Sequence, residues 1–275
     1  MSNSHDVRAM NKEADVIERA PSRFRWTERG DGDPVVLLHG LMGEMDHWES
    51  ALETLGAFCR PIALELPLFD PGLVDVSVPG LADYVRRFME ALELRSAVIG
   101  GNSLGGHLAL ELALAHPEQV TGLILSGSSG LFERTFTRNV PHRPSAAYVR
   151  EKMEEIFYDP TLVTLERVES IRRIVTTPRL AVRVLRVARS AKRHNLEERL
   201  GDVRVPTLIV WGKEDRITPP EVAERFHAGI PGSQLVYLPN CGHAPMLERP
   251  EAFDAVVSEW LSELRVRAAR IGGCR

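Results

Sequence analysis

The sequence predicts an α/β domain built on a mainly parallel sheet, and three observations predict it. Short apolar runs alternate with helical patterns along most of the 275 residues, and parallel strands need crossover connections that cover both sheet faces. Runs such as Pro34 to Leu38 are continuously apolar, as suits strands buried on both sides. With 44% hydrophobic residues the chain can bury one large core and carry an insertion without disulfides.

Taken in order, residues 1–20 lack a convincing apolar period and are expected to be a flexible lead-in. Arg23 to Arg29 alternates like a strand, Gly30-Asp31-Gly32-Asp33 is a turn, and Pro34 to Leu38 is the first buried strand. A strand follows at Pro61 to Leu66, a helix around Leu81 to Leu92, a strand at Ala97 to Gly100, a helix from Leu104 to Ala115 and a strand at Val120 to Leu125. Over residues 131–200 the strand signal gives way to arginine-rich helical patterns, read as an inserted helical cap. Alternation resumes with a strand at Pro206 to Trp211, a helix at Pro220 to His227, a strand at Gln234 to Leu238 and a helix at Glu251 to Leu264. The core is therefore expected over 21–130 and 201–266, interrupted by the cap and followed by a flexible tail at 267–275.

Composition narrows the function classes. A net charge of -4 gives no general reason to bind nucleic acid. Cys59, Cys241 and Cys274 fit neither a disulfide framework nor a zinc site, so they read as free thiols in a reducing compartment. Glu13, Asp15, Glu18 and Arg19 stand where a secretory signal would be apolar, and no run reaches the length of a membrane span. The expectation is a cytoplasmic protein acting on a small-molecule substrate, away from membranes; a homodimer stays open.

The chemistry concentrates in three places. Ala97 to His107 carries an apolar strand into Gly101-Asn102-Ser103-Leu104-Gly105 and then into a helix, the context of a nucleophile elbow. Ser103 is the candidate nucleophile, set at a helix start whose N–H groups favour negative charge. A serine hydroxyl needs a base, and the base needs a group to fix its tautomer. Among nine histidines His243 is best placed, in the loop Leu238 to Pro245 after a short strand. The strand Leu208 to Trp211 runs into Gly212-Lys213-Glu214-Asp215, and Asp215 is favoured over Glu214 as the orienting carboxylate. The order serine, acid, histidine belongs to one triad architecture among several. Backbone N–H groups of Leu104 and of Leu41, in the loop after the first buried strand, are the expected oxyanion donors. His39 and His107 read as structural. Trp48, Phe132, Phe136 and Met246 are candidate pocket residues.

These motifs, His39-Gly40, Gly101 to Gly106, Gly212 to Asp215, and Gly242-His243 with Pro245, Glu248 and Pro250 beyond, resemble the α/β-hydrolase superfamily over roughly Arg23 to Leu264. The resemblance implies the α/β-hydrolase fold, a mostly parallel eight-stranded sheet with helices on both faces and a helical cap, and hydrolysis through an acyl-enzyme without metal or organic cofactor. A serine at the elbow separates it from the epoxide hydrolases and haloalkane dehalogenases of that fold. The sequence is most similar to small carboxylesterases and meta-cleavage-product hydrolases. Asn102 matches the second group, which also implies a cap arginine for a substrate carboxylate, Arg172 or Arg173. Ala244 after His243 and the short glycine run after His39 depart from it. The leading expectation is ester hydrolysis. Carbon–carbon hydrolysis of a 1,5-diketone acid and a ligand receptor that retains the triad are the alternatives.

Overall fold

Strand side chains alternate across the sheet, so a segment buried on both faces must supply apolar residues in both directions. The Pro34–Leu38 strand does this: Val36 and Leu38 enter one core cluster, and Val35 and Leu37 enter another on the opposite side. The computed structural model describes residues 15–19, 22–70, 72, 75–132, 141 and 143–272. In chain order the elements of the core's first half are β1 (Asp15–Arg19), β2 (Ser22–Glu28), β3 (Pro34–Leu38), α1 (Glu49–Leu55), β4 (Arg60–Leu64), α2 (Val78–Ala91), β5 (Ala97–Asn102), α3 (Leu104–Ala115) and β6 (Val120–Ser126). Then come α4 (Ala146–Glu154), α5 (Leu165–Thr176) and α6 (Pro178–Arg193), followed by β7 (Thr207–Gly212), α7 (Pro220–Gly229), β8 (Gln234–Leu238), α8 (Pro245–Glu248) and α9 (Pro250–Gly272).

The strands form one eight-stranded sheet in the order β1-β2-β4-β3-β5-β6-β7-β8. β1 and β2 pair antiparallel at one end, β2 joins β4 antiparallel, and every pairing from β4 through β3 to β8 is parallel. One face carries α2, α3 and α7, packed through residues such as Phe88, Leu108 and Phe226. The other carries α1 and α9, whose Leu52, Leu55, Phe253 and Val257 pack against Val35, Val98 and Val210. Burying side chains of this size stabilises the domain by about 1.5–3 kcal/mol each. Among the described residues no helix is long and apolar enough to cross a membrane.

Between β6 and β7 the described residues form helices and no strand. Ser145 and Thr164 cap α4 and α5 by accepting from Tyr148 N and Arg167 N. Thr177 ends α5, and Pro178 starts α6 at its first position, where the missing N–H costs nothing. Val149, Met153, Val163 and Val168 give α4 and α5 a small core of their own, whereas Val187 and Ala191 of α6 join the main core.

Two terminal expectations are corrected. Asp15–Arg19, assigned to a flexible lead-in, is a strand paired from Asp15↔Trp26 to Arg19↔Ser22. An end strand is held by its backbone ladder and needs little side-chain periodicity. The tail expected at 267–275 is helical through Gly272, because the run after Leu264 is rich in arginine and alanine, both strong helix formers. Trp48, a candidate pocket residue, is buried in the core beside Phe253, and Phe132 is exposed. Phe136 lies outside the described residues.

Candidate active site

Parallel strands bring their carboxyl ends to one edge of the sheet, and ligands of open α/β sheets bind there. The loops after β3, β5, β7 and β8 carry Leu41, Ser103, Asp215 and His243 to that edge.

Ser103 joins β5 to α3 with φ 54° and ψ -116°. A non-glycine residue in this sparsely populated region stores about 1–3 kcal/mol of strain, which the surroundings must hold in place. Ser103 N donates to Ser126 O at 3.0 Å, and Ser103 O accepts from His107 N at 3.2 Å and Ser129 N at 3.0 Å. The turn closes only because its flanks lack side chains: a Cβ on Gly105 would stand 2.1 Å from Leu38 O, and one on Gly101 2.2 Å from the Gly105 carbonyl carbon. Leu104 opens α3, so its N–H has no acceptor within the helix. Leu41 follows Gly40, whose position approaches the Ser103 Cβ to within 3.3 Å of an added methyl. Gly40 O accepts from Gly43 N at 3.1 Å, closing a turn around Leu41.

His243 Nδ1 lies 2.9 Å from Asp215 Oδ2, both side chains being almost fully buried. The Asp215 carboxylate is held on every side: Oδ1 accepts from Ile217 N at 2.8 Å and Thr218 N at 3.0 Å, and Oδ2 accepts from Thr218 Oγ1 at 2.8 Å. Glu214, the alternative acid, points away and accepts from Cys241 N at 2.9 Å, while its own N–H donates to Cys241 O. Adjacent carboxylates thus do different work, one on the imidazole and one on the main chain of its loop.

His39 is buried, with Nδ1 2.8 Å from Gly40 O and Nε2 accepting from Leu66 N at 3.0 Å. Burial pulls it down to about 4, so it is a neutral strut between the loop after β3 and the end of β4. His107 is likewise buried and lowered to about 3, by burial first and then by His194, whose Nδ1 is 3.1 Å away.

The four candidate substrate contacts sit in different surroundings. Asn102 is buried and its Nδ2 donates to Ser126 O at 3.0 Å and His243 O at 2.8 Å, so the amide is occupied in tying β5 to β6 and to the histidine loop. Met246 is 2% exposed and belongs to the core cluster with Trp48 and Phe253. Arg172 forms a two-pronged pair with Glu169 on its own helix, at 2.8 and 2.6 Å. Arg173 is exposed and, with Arg167, exerts its field on Glu44 in the loop after β3. Thr218, buried and bonded to Asp215, was passed over in the sequence, and Glu248, noted there only as part of the motif after His243, is buried and accepts from Gly242 N. The signal for the second is a glutamate directly after the uncharged run Ala244 to Leu247. Among the described residues no cluster of three or more His, Cys, Asp or Glu side chains could hold a metal.

A model of the alpha/beta hydrolase family matches residues 35–256, from the first buried strand to the last helix. The chain belongs to this family. Among similar α/β hydrolases is a 2-hydroxy-6-oxononadienedioate/2-hydroxy-6-oxononatrienedioate hydrolase of Comamonas testosteroni, 28% identical, with 90% of this chain and 94% of that one covered. A monoacylglycerol lipase of Xenopus laevis is 26% identical, covering 94% and 85%. An α/β hydrolase enzyme from the metagenome of Moroccan lagoon sediments is 32% identical, with TM-score 0.73, covering 90% of this chain and 98% of that one. Hydrolases named for different substrates thus stand among the relatives of this α/β hydrolase.

Proposed function

We propose that the protein is a serine hydrolase that cleaves a carboxylic ester of a small or medium-sized substrate through an acyl-enzyme. The observation that carries the reading is the 2.9 Å contact between buried His243 and Asp215 on the same sheet edge as a serine held at φ 54°. With Nδ1–H donated to Asp215, His243 keeps its Nε2 lone pair for the Ser103 proton. Ser103 Oγ attacks the carbonyl carbon, and the developing oxyanion is received by the N–H groups of Leu104 and Leu41, each worth roughly 3 kcal/mol. The tetrahedral intermediate collapses as Nε2–H protonates the departing alkoxide. Water, deprotonated by the same nitrogen, then attacks the acyl carbon and releases the acid.

Carbon–carbon hydrolysis is the second reading, favoured by the similarity to the Comamonas 2-hydroxy-6-oxononadienedioate hydrolase. It requires a cation for the substrate carboxylate, for which Arg172, paired with Glu169 at the surface, and the exposed Arg173 are the candidates. Hydrolysis of p-nitrophenyl esters from acetate to decanoate by wild type and Ser103→Ala tests the first reading. Activity that vanishes in the variant supports it, and a wild type inert toward the whole series overturns it in favour of the second.

A further inference from the structure

Beside the triad, one buried carboxylate is bonded to main-chain donors from two directions. Glu248 ends α8 and is 6% exposed. Its Oε1 accepts from Gly242 N at 2.9 Å and Ala244 N at 3.3 Å, the residues on either side of His243. Its Oε2 accepts from Tyr158 N at 2.6 Å and Asp159 N at 3.4 Å, in the segment just after α4. His243 N completes the join by donating to Ile156 O at 2.9 Å. A Cβ on Gly242 would stand 2.6 Å from Ile156 O and 2.8 Å from Tyr158 N, so the two main chains meet with nothing between them.

Burying a carboxylate is costly unless its oxygens are fully bonded. Burial does push Glu248 up, and the four N–H groups pull it back, Gly242 N most of all. An apolar residue would fill this space without that cost, and glutamine offers one acceptor oxygen where two separate segments each need one. The side chain is therefore chosen for accepting on both sides at once. We propose that Glu248 is a positioning residue for His243: it latches the loop bearing the imidazole to the segment after α4, so that the base is set in place by the docked cap. The proposal rests on the serine-hydrolase reading for its kinetic consequence but not for the latch itself.

Two measurements separate these. Native-state hydrogen exchange is expected to show the amides of Gly242, Ala244, Tyr158 and Asp159 opening as one unit in the wild type, and exchanging at least tenfold faster together in Glu248→Gln. Exchange in which the two pairs open independently, or in which only one pair responds to the substitution, overturns the latch whatever the enzyme's activity. The second measurement is the rate constant for labelling of Ser103 by a fluorophosphonate, which needs no knowledge of the substrate. Misplacing a base by about 1 Å costs up to about 100-fold, so a folded Glu248→Gln is expected to label 10- to 100-fold more slowly, with a displaced pH profile. Asp254→Asn is the control, since Asp254 is an equally buried carboxylate bonded to Ser50 and Thr54; its labelling rate should match wild type. A Glu248→Gln protein that labels at the wild-type rate overturns the positioning role. Wild type and Ser103→Ala equally inert to the reagent would instead overturn the reading of the triad, leaving the exchange result to judge the latch.

Discussion

Neutral histidines buried in the core make stability depend on acid in a way that can be worked from the structure. His107 has its folded-state pKa lowered from 6.5 to about 3, because burial disfavours the imidazolium and His194 adds to the effect. As pH falls below 6.5 the unfolded chain takes up a proton at this side chain and the folded protein does not, so its stabilising contribution is full above pH 6.5 and is lost on acidification towards pH 3. At pH 5 the loss is about 2 kcal/mol for one histidine, at about 1.4 kcal/mol per pH unit. His39, lowered to about 4, adds a comparable loss. Glu248 and Asp254 act with the opposite sign, since their folded pKa values are raised by burial and they take up protons in the folded state first. The comparison must therefore be between wild type and His107→Gln, in which those other groups are common. Urea unfolding at pH 7.5 and pH 5 is expected to show a decline about 2 kcal/mol smaller in the variant, or roughly 5 °C in the corresponding Tm difference. Equal declines in the two proteins would refute a neutral His107.

Gly105→Ala is expected to abolish ester hydrolysis and lower the melting temperature, because the new methyl would lie 2.1 Å from a backbone oxygen that cannot rotate away; wild-type activity on p-nitrophenyl acetate would refute the close approach. Asp215→Asn should leave KM within about twofold and lower kcat by about 10^4, as the amide no longer fixes the imidazole tautomer. Asn102→Ala strips a bond from the buried carbonyls of Ser126 and His243, so unfolding in urea should show a loss of about 2–4 kcal/mol together with a fall in kcat. Arg172→Ala should leave KM for esters unchanged, its exposed pair with Glu169 contributing little to stability; a sharp rise in KM confined to anionic substrates would favour the carbon–carbon reading.

What could be read in the sequence follows from what each element depends on. β3, α3 and β8 fall on the residues expected of them, because uninterrupted apolar runs bounded by turn and cap residues fix their ends. The strained serine was legible as well, since few backbones other than a strand-to-helix elbow require glycine both two residues before and two residues after a serine. β1 was not, being held by ladder bonds, and α1 is only seven residues long, too short to show a period. Side-chain destinations fared least well. The partners of Asn102 could not be read from the chain, because direction within a packed fold is set by groups distant in sequence, such as His243 O at 141 residues from it.

The helices between β6 and β7 are fastened unevenly, and that has a mechanical result. Their near end is bound through Ile156, Tyr158 and Asp159 to the histidine loop, and their far end through Arg183 to Leu68 O and through Ser190, which accepts from Val78 N. Between them α5 has, among the described residues, hydrogen bonds and ion pairs only to its own neighbours in the chain. It is a plank resting on two piers, with the Thr177-Pro178 joint at one end and Thr164 at the other. Bending of α5 would therefore leave both fastenings, and with them the loop of His243, in place.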